Sequence, residues 1–223
     1  MCGRFTFHAT PAALARYFAL AEAPDLEPRY NIAPSQQVPV VRASERGAWR
    51  LGSLRWGLVP FWAKDRTIGH RLINARAETL AEKASFKHAF RRRRCLILAS
   101  GFYEWRRGPE GKIPVYVTDP AGRPYAFAGL WERWRDRDQL PLDTCVIVTV
   151  AANATLASIH DRMPALLDTD GQTLWLDRGA PLSACQALLL PAPDAITEHW
   201  PVSRQVNDPA HEGEHLIKPV APA

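Results

Sequence analysis

Residues 95–105 read Cys95-Leu96-Ile97-Leu98-Ala99-Ser100-Gly101-Phe102-Tyr103-Glu104-Trp105. This apolar, aromatic-rich run reads as a buried strand that carries a carboxylate between two aromatic rings near its end. Two more strands follow, near 113–118 and 125–133. The turn residues Gly108-Pro109-Glu110-Gly111 and Pro120-Ala121-Gly122-Arg123-Pro124 separate them. A further strand at 144–150 is apolar and β-branched. Towards the N-terminus, residues 2–8 read as a short strand. Thr10-Pro11 then reads as an N-cap and first helical position of a helix whose apolar face is Leu14, Tyr17, Phe18 and Leu20. Residues 23–35 read as a loop with three prolines, and strands are expected at 36–42 and 49–58 around the turn Ser44-Glu45-Arg46-Gly47. Residues 59–72 read as irregular. Ile73-Asn74 reads as a strand end leading to a helix at 78–83, with other short helices at 86–93, 154–159, 170–177 and 181–189. Edge strands are expected at Val202 and Leu216-Ile217. Many strands with few crossover helices define an α+β fold: a largely antiparallel, curved or barrel-like β-sheet core surrounded by short helices. One domain over residues 1–220 with a short tail at 221–223 is expected.

The 223 residues are ample for a hydrophobic core, and the apolar and charged fractions, 47% and 23%, are ordinary for a globular protein. No run is long and apolar enough for a transmembrane helix, and Met1-Cys2-Gly3-Arg4-Phe5 lacks the core of a secretory signal, so a cytoplasmic location is expected. The four cysteines, at 2, 95, 145 and 185, form no clustered pair, so neither a metal site nor a disulfide is expected. Cys95, Cys145 and Cys185 read as core residues. The charge balance of +5 and the pI near 9.2 lean towards a polyanionic partner such as nucleic acid. The run Arg91-Arg92-Arg93-Arg94 reads as a solvated face or a phosphate track.

Three polar residues stand at strand or helix ends. Asn74 follows Ile73. Glu104 lies between Tyr103 and Trp105, where partial desolvation would raise its pKa and suit it to general acid work. His160 ends an apolar helical stretch before Asp161-Arg162. A turn residue, an outward-facing strand carboxylate and a helix cap are the plain readings of the same three. Cys2 is different in kind. Removal of Met1 would leave a thiol and a free α-amine on adjacent carbons, both partly nucleophilic near neutral pH. Such a 1,2-aminothiol condenses with an aldehyde to a Schiff base, which the thiolate closes to a thiazolidine ring.

Taken in order, Met1–Phe5, Tyr30-Asn31-Ile32-Ala33-Pro34, Trp56-Gly57-Leu58-Val59-Pro60, Asn74-Ala75-Arg76-Ala77-Glu78, Gly101–Trp105, His160-Asp161-Arg162-Met163-Pro164, and Val202-Ser203 with Val206-Asn207 resemble the SRAP family, the SOS response-associated peptidase-like proteins. The resemblance runs from residue 1 to about 220. It implies crosslinking to abasic sites in single-stranded DNA, preferentially at single-strand/duplex junctions, in association with the nucleoid or replication forks. It implies no cofactor and a monomer. By the same resemblance Cys2 supplies amine and thiol, Asn74 holds the N-terminal residue, Glu104 does acid/base work, and His160 assists ring opening and proton transfer. Arg4, Arg76 and Arg162 then grip the DNA backbone, while Pro34 and Trp105 contact bases. Leu98 departs from the family pattern, which often has proline there.

Two alternatives stand beside this. A cysteine-type peptidase would use Cys2 as nucleophile and His160 as base, although only Met1 precedes Cys2. A non-covalent single-strand-binding module would need neither Cys2 nor the Glu104 and His160 contexts.

Overall fold

The computed structural model describes residues 2–18, 20, 24–109 and 111–221. Met1, the middle of the turn at 108–111, and the last two residues of the tail lie outside these. Twelve strands are present: β1 Arg4–Phe7, β2 Arg29–Ile32, β3 Gln37–Ala43, β4 Trp49–Trp56, β5 Asn74–Arg76, β6 Arg94–Ala99, β7 Gly101–Gly108, β8 Gly111–Thr118, β9 Tyr125–Arg135, β10 Pro141–Ala151, β11 Arg162–Pro164 and β12 Glu198–Pro201. The α-helices are short: α1 Pro11–Phe18, α2 Lys87–Arg92, α3 Ala154–Ala157, α4 Thr169–Leu176 and α5 Leu182–Ala187. The α+β architecture with an antiparallel, barrel-like core is borne out.

Pairing runs β10-β4-β3-β6-β9 and returns from β9 to β10, closing five strands into a barrel. Closure leaves no free edge within those five. Only the β4–β10 contact in this ring is parallel. β10 outruns the barrel. Its first part pairs with β4, and its later part pairs with β5 on one side (Ile147 opposite Asn74, Thr149 opposite Arg76) and β11 on the other (Ala151 opposite Arg162). A second antiparallel sheet has the order β12-β8-β7-β1-β2.

The stretch quoted first, read from sequence as one strand, is two. Ser100 breaks it, so that β6 lies in the barrel and β7 in the second sheet. The Ser100 N–H donates to the Thr6 carbonyl (2.8 Å), and its hydroxyl accepts from the His8 N–H (2.9 Å). At Gly101 a Cβ would come within 2.4 Å of the Tyr116 hydroxyl, so only glycine lets the chain make this step. Phe5 of β1 then wedges the two layers together. Its ring meets Trp56 edge-on at 5.2 Å and Phe127 at 5.9 Å, and all three are fully buried. Such aromatic pairs add ~0.5–1.5 kcal/mol each beyond burial.

Several expectations need correction. The proline-rich loop contains β2, because Arg29–Ile32 between Pro28 and Pro34 finds a partner edge in β1. The helix expected at 78–83 is a single 3-10 turn, Ala77–Thr79, set by β5 immediately before it. Residues 59–72 include a 3-10 helix, Arg66–Arg71, capped by the Asp65 carboxylate. Leu216-Ile217 lies in a 3-10 turn, Glu214–Ile217, with Leu216 buried, rather than on an edge strand. Val202 makes an isolated bridge to Pro219. Strand β12 was not foreseen. Cys95, Cys145 and Cys185 are buried in the core as expected. Among the described residues, no helix is long and apolar enough to cross a membrane.

Candidate functional site

Cys2 precedes β1, which pairs with β7 so that Arg4 stands opposite Tyr103 and Phe5 opposite Phe102. This register brings the N-terminal end of β1 alongside Glu104. Cys2 is fully buried, and its thiol points to the Arg4 carbonyl at 3.8 Å. Burial pushes the thiol well above its ordinary pKa, and the neighbouring Glu104 carboxylate adds to the shift. The thiol is therefore protonated at neutral pH in this state. From the barrel side, the Asn74 side-chain amide donates to the Cys2 carbonyl at 2.8 Å. Asn74 can do this because β5 hangs on the overrun of β10.

Glu104 is 4% exposed. Burial raises its carboxyl above the ordinary range, while the nearby His160 ring and the Trp105 N–H oppose the rise. Glu104 thus lies within electrostatic reach of both Cys2 and His160. His160 sits past the C-terminus of α3, where its N–H donates to the Leu156 carbonyl at 3.0 Å. Its Nδ1 accepts the Arg162 N–H (3.0 Å) and lies 2.8 Å from Asp161 Oδ1. The structure brings Cys2, Asn74, Glu104 and His160 into one neighbourhood at the seam between the two sheets.

The three arginines differ. Arg76 is exposed, and among the described residues its guanidinium has no hydrogen-bond partner. Arg4 donates to Asn31 Oδ1 and the Val206 carbonyl, both at 2.6 Å, and to the Asn207 carbonyl at 3.0 Å. Burial lowers its pKa. Arg162 forms a bidentate pair with Glu78 (2.6 and 2.9 Å) and reaches the Thr149 carbonyl at 2.6 Å. The Arg162 hydrogen bonds hold the Glu78 carboxyl below its ordinary range. In this state Arg4 and Arg162 therefore brace the site from within. Trp105 is half-buried and donates from its indole N–H to Asn207 Oδ1 at 2.8 Å. Pro34 is half-buried and precedes Ser35, whose φ of 74° turns the chain back towards Trp56.

Two contributors had no role in the sequence reading. Asn31, fully buried, accepts from Arg4 and donates to the carbonyls of Asp208 and His211, both at 2.9 Å. It thereby fastens the 204–211 segment over β1 and β2. Glu78 is the partner of Arg162. Both stand inside quoted motifs, and position in a motif was the only signal for them. No group of three or more His, Cys, Asp or Glu among the described residues is placed to hold a metal.

A barrel with a second sheet against it, and an N-terminal cysteine clamped between an asparagine and a buried carboxylate, define a recognisable class. The family model for SOS response associated peptidase (SRAP) matches residues 1–209, and the chain belongs to that family. It is 41% identical over 223 residues to the abasic site processing protein YoqW of Bacillus subtilis, covering 98% of this chain and 99% of that protein. The abasic site processing protein HMCES of Xenopus tropicalis is 33% identical over 213 residues, covering 82% of this chain and 63% of that protein. A crystal structure of a protein from Bacteroides thetaiotaomicron shares the fold with a TM-score of 0.88 at 23% identity, covering 99% of this chain and all of that one.

Proposed function

We propose that this protein senses abasic sites in single-stranded DNA and captures them covalently through Cys2 once Met1 is removed, shielding the lesion during replication. The observation that carries this is the clamp on residue 2: Asn74 holds the Cys2 carbonyl at 2.8 Å while the buried Glu104 carboxylate stands beside the same residue. The names of the relatives, abasic site processing proteins, support it.

The geometry suits a definite order of steps. The thiol is held protonated by burial, so the α-amine attacks first. It adds to the aldehyde of the ring-opened deoxyribose to give a carbinolamine. Glu104, with its raised pKa, donates the proton on which water leaves, giving the Schiff base. The thiol then adds to the imine carbon as its proton passes to the Glu104 carboxylate, closing the thiazolidine. The overall balance is aldehyde plus aminothiol giving ring plus one water. His160 assists sugar ring opening and proton transfer. A Schiff base also permits weak strand-cleaving lyase chemistry. Arg76 offers its unengaged guanidinium to phosphate. Arg4 and Arg162 contribute by holding Asn31 and the β10–β11 edge, and present their outer faces to the DNA backbone. Pro34 and Trp105 contact bases at single-strand/duplex junctions. The protein acts as a monomer, residues 1–220 form one domain, and it works at the nucleoid or replication fork.

The test is capture of an oligonucleotide with one abasic site, read by denaturing gel and intact mass. The expected product has the summed mass of Met1-less protein and DNA less one water, and Cys2→Ala abolishes it while leaving DNA affinity. Normal crosslinking by Cys2→Ala, or no adduct when Met1 is confirmed absent, would overturn the reading.

A further inference from the structure

The far end of the barrel carries a groove that no step of this chemistry uses. It has a volume of about 1210 Å³ and is lined by arginines from β3, β4, α2, β6 and the segment after α4. Three of these are spent on the protein. Arg42 and Arg93 stack on Trp131, at 4.6 and 5.2 Å, and pair with Asp143 and Glu132. Arg94 is buried and satisfies the carbonyls of Phe90 and Trp175. The other five lining cations, Arg50, Lys87, Arg91, Arg92 and Arg178, are exposed, and among the described residues none of them pairs with a carboxylate. Among the described residues Glu45 is the sole acidic side chain of the lining. The structure thus concentrates a positive field in one concavity of a chain whose whole net charge is +5.

We infer that this groove is a second track for the phosphodiester backbone of the DNA that flanks the captured lesion. The inference rests on the function proposed above and extends its footprint. Phosphate, rather than base, is the ligand chemistry. Trp131 is already covered by two guanidinium groups, and although Phe61 and Trp62 are half-exposed, the five unpaired cations on flexible stems outnumber them. From the groove the surface leads on towards the segment that carries Asn74. A smaller hollow shares Trp62 with the groove and is lined by Lys64, Asp65 and Arg71, the last of them three residues before Asn74. From Asp143 at the groove end of β10 to Thr149 beside Arg76 is ~20 Å at ~3.3 Å per residue. That is roughly six base pairs of rise. A lesion at Cys2 and a backbone in the groove can therefore belong to one strand or one flanking duplex.

The experiment compares wild type with the Arg91→Gln/Arg92→Gln/Arg178→Gln variant, a surface change whose Tm is expected to match. Abasic oligonucleotides are used in three forms: one too short to span the ~20 Å, one with a long single-stranded flank, and one with a duplex flank. An undamaged oligonucleotide is titrated in parallel. On a long substrate the variant is expected to bind about tenfold more weakly, with a slope of log affinity against log salt shallower by about 2. Capture of the short substrate is expected to be unchanged. The flanked form that loses more identifies the strandedness, and Arg→Lys at the same three positions is expected to restore binding. Equal behaviour of wild type and variant on the long substrates, or equal losses on short and long, overturns the inference. Binding to undamaged DNA keeps the two readings apart: a groove effect there with no adduct on any substrate sinks the capture chemistry and leaves the track standing.

Discussion

Asn74→Ala tests the clamp on residue 2. The side-chain amide is the donor to the Cys2 carbonyl, at 2.8 Å, and it reaches across the seam between the two sheets. Removing it leaves a carbonyl of a fully buried residue without that donor, a loss of about 1–3 kcal/mol. Because Cys2 lies ahead of the first strand, this energy is spent on the orientation of the residue and not on global stability. At 1.36 kcal/mol per tenfold, the aligned population falls by roughly five- to 150-fold. Single-turnover capture at saturating abasic oligonucleotide should slow by that factor, with Kd for the DNA and Tm close to wild type. Asn74→Asp keeps the size and loses the donor, so it should be at least as slow. A normal rate in both variants, or a defect confined to Kd, would refute the clamp.

Glu104→Gln should slow adduct formation and reversal. It also carries a stability signature. The native carboxyl titrates above its unfolded value, so wild type is favoured below about pH 4.5 and loses stability as pH rises towards the raised native value. The Tm of Glu104→Gln relative to wild type should therefore increase across that window, and a pH-independent difference would count against a desolvated carboxylate. Arg76→Ala should weaken DNA binding and reduce the salt slope by about 0.7–0.9, the contribution of one phosphate contact; an unaltered slope would place Arg76 outside the interface. Gly57→Ala should destabilise the fold by at least ~1–3 kcal/mol by thermal melt, because φ is 124° and a Cβ would stand 2.8 Å from the Gly69 carbonyl. A wild-type Tm would show that the turn between β4 and the 3-10 helix relaxes freely.

Periodicity and turn chemistry located most of the strands because those signals are local. The Gly47 turn, the Thr10 cap and the β-branched run of β10 each declare themselves within a few residues. What stayed hidden depends on partners far along the chain. β2 is a strand because β1 offers it an edge, and nothing within Arg29–Ile32 outweighs the flanking prolines. The break at Ser100 follows from the Tyr116 ring standing over Gly101, which residues 95–105 alone do not disclose. The site divides in the same way. The order of motifs named Cys2, Asn74, Glu104 and His160. Whether an arginine has its hydrogen bonds to spare was illegible, since the partners of Arg4 and Arg162 come from Val206, Asn207 and Glu78.

The bond between Arg4 and the Val206 carbonyl joins positions 202 residues apart. Contacts of such long contour separation are among the slowest to form, because the loop they close must first lose its freedom. The surroundings of Arg4, two residues from Cys2, are therefore complete only when the 204–211 segment has docked. A chain that lost Met1 before that closure would present Cys2 as an exposed aminothiol, open to any aldehyde in its surroundings. If capture runs through Cys2 as proposed, the final closure of the chain is also the moment at which its reactive end becomes selective.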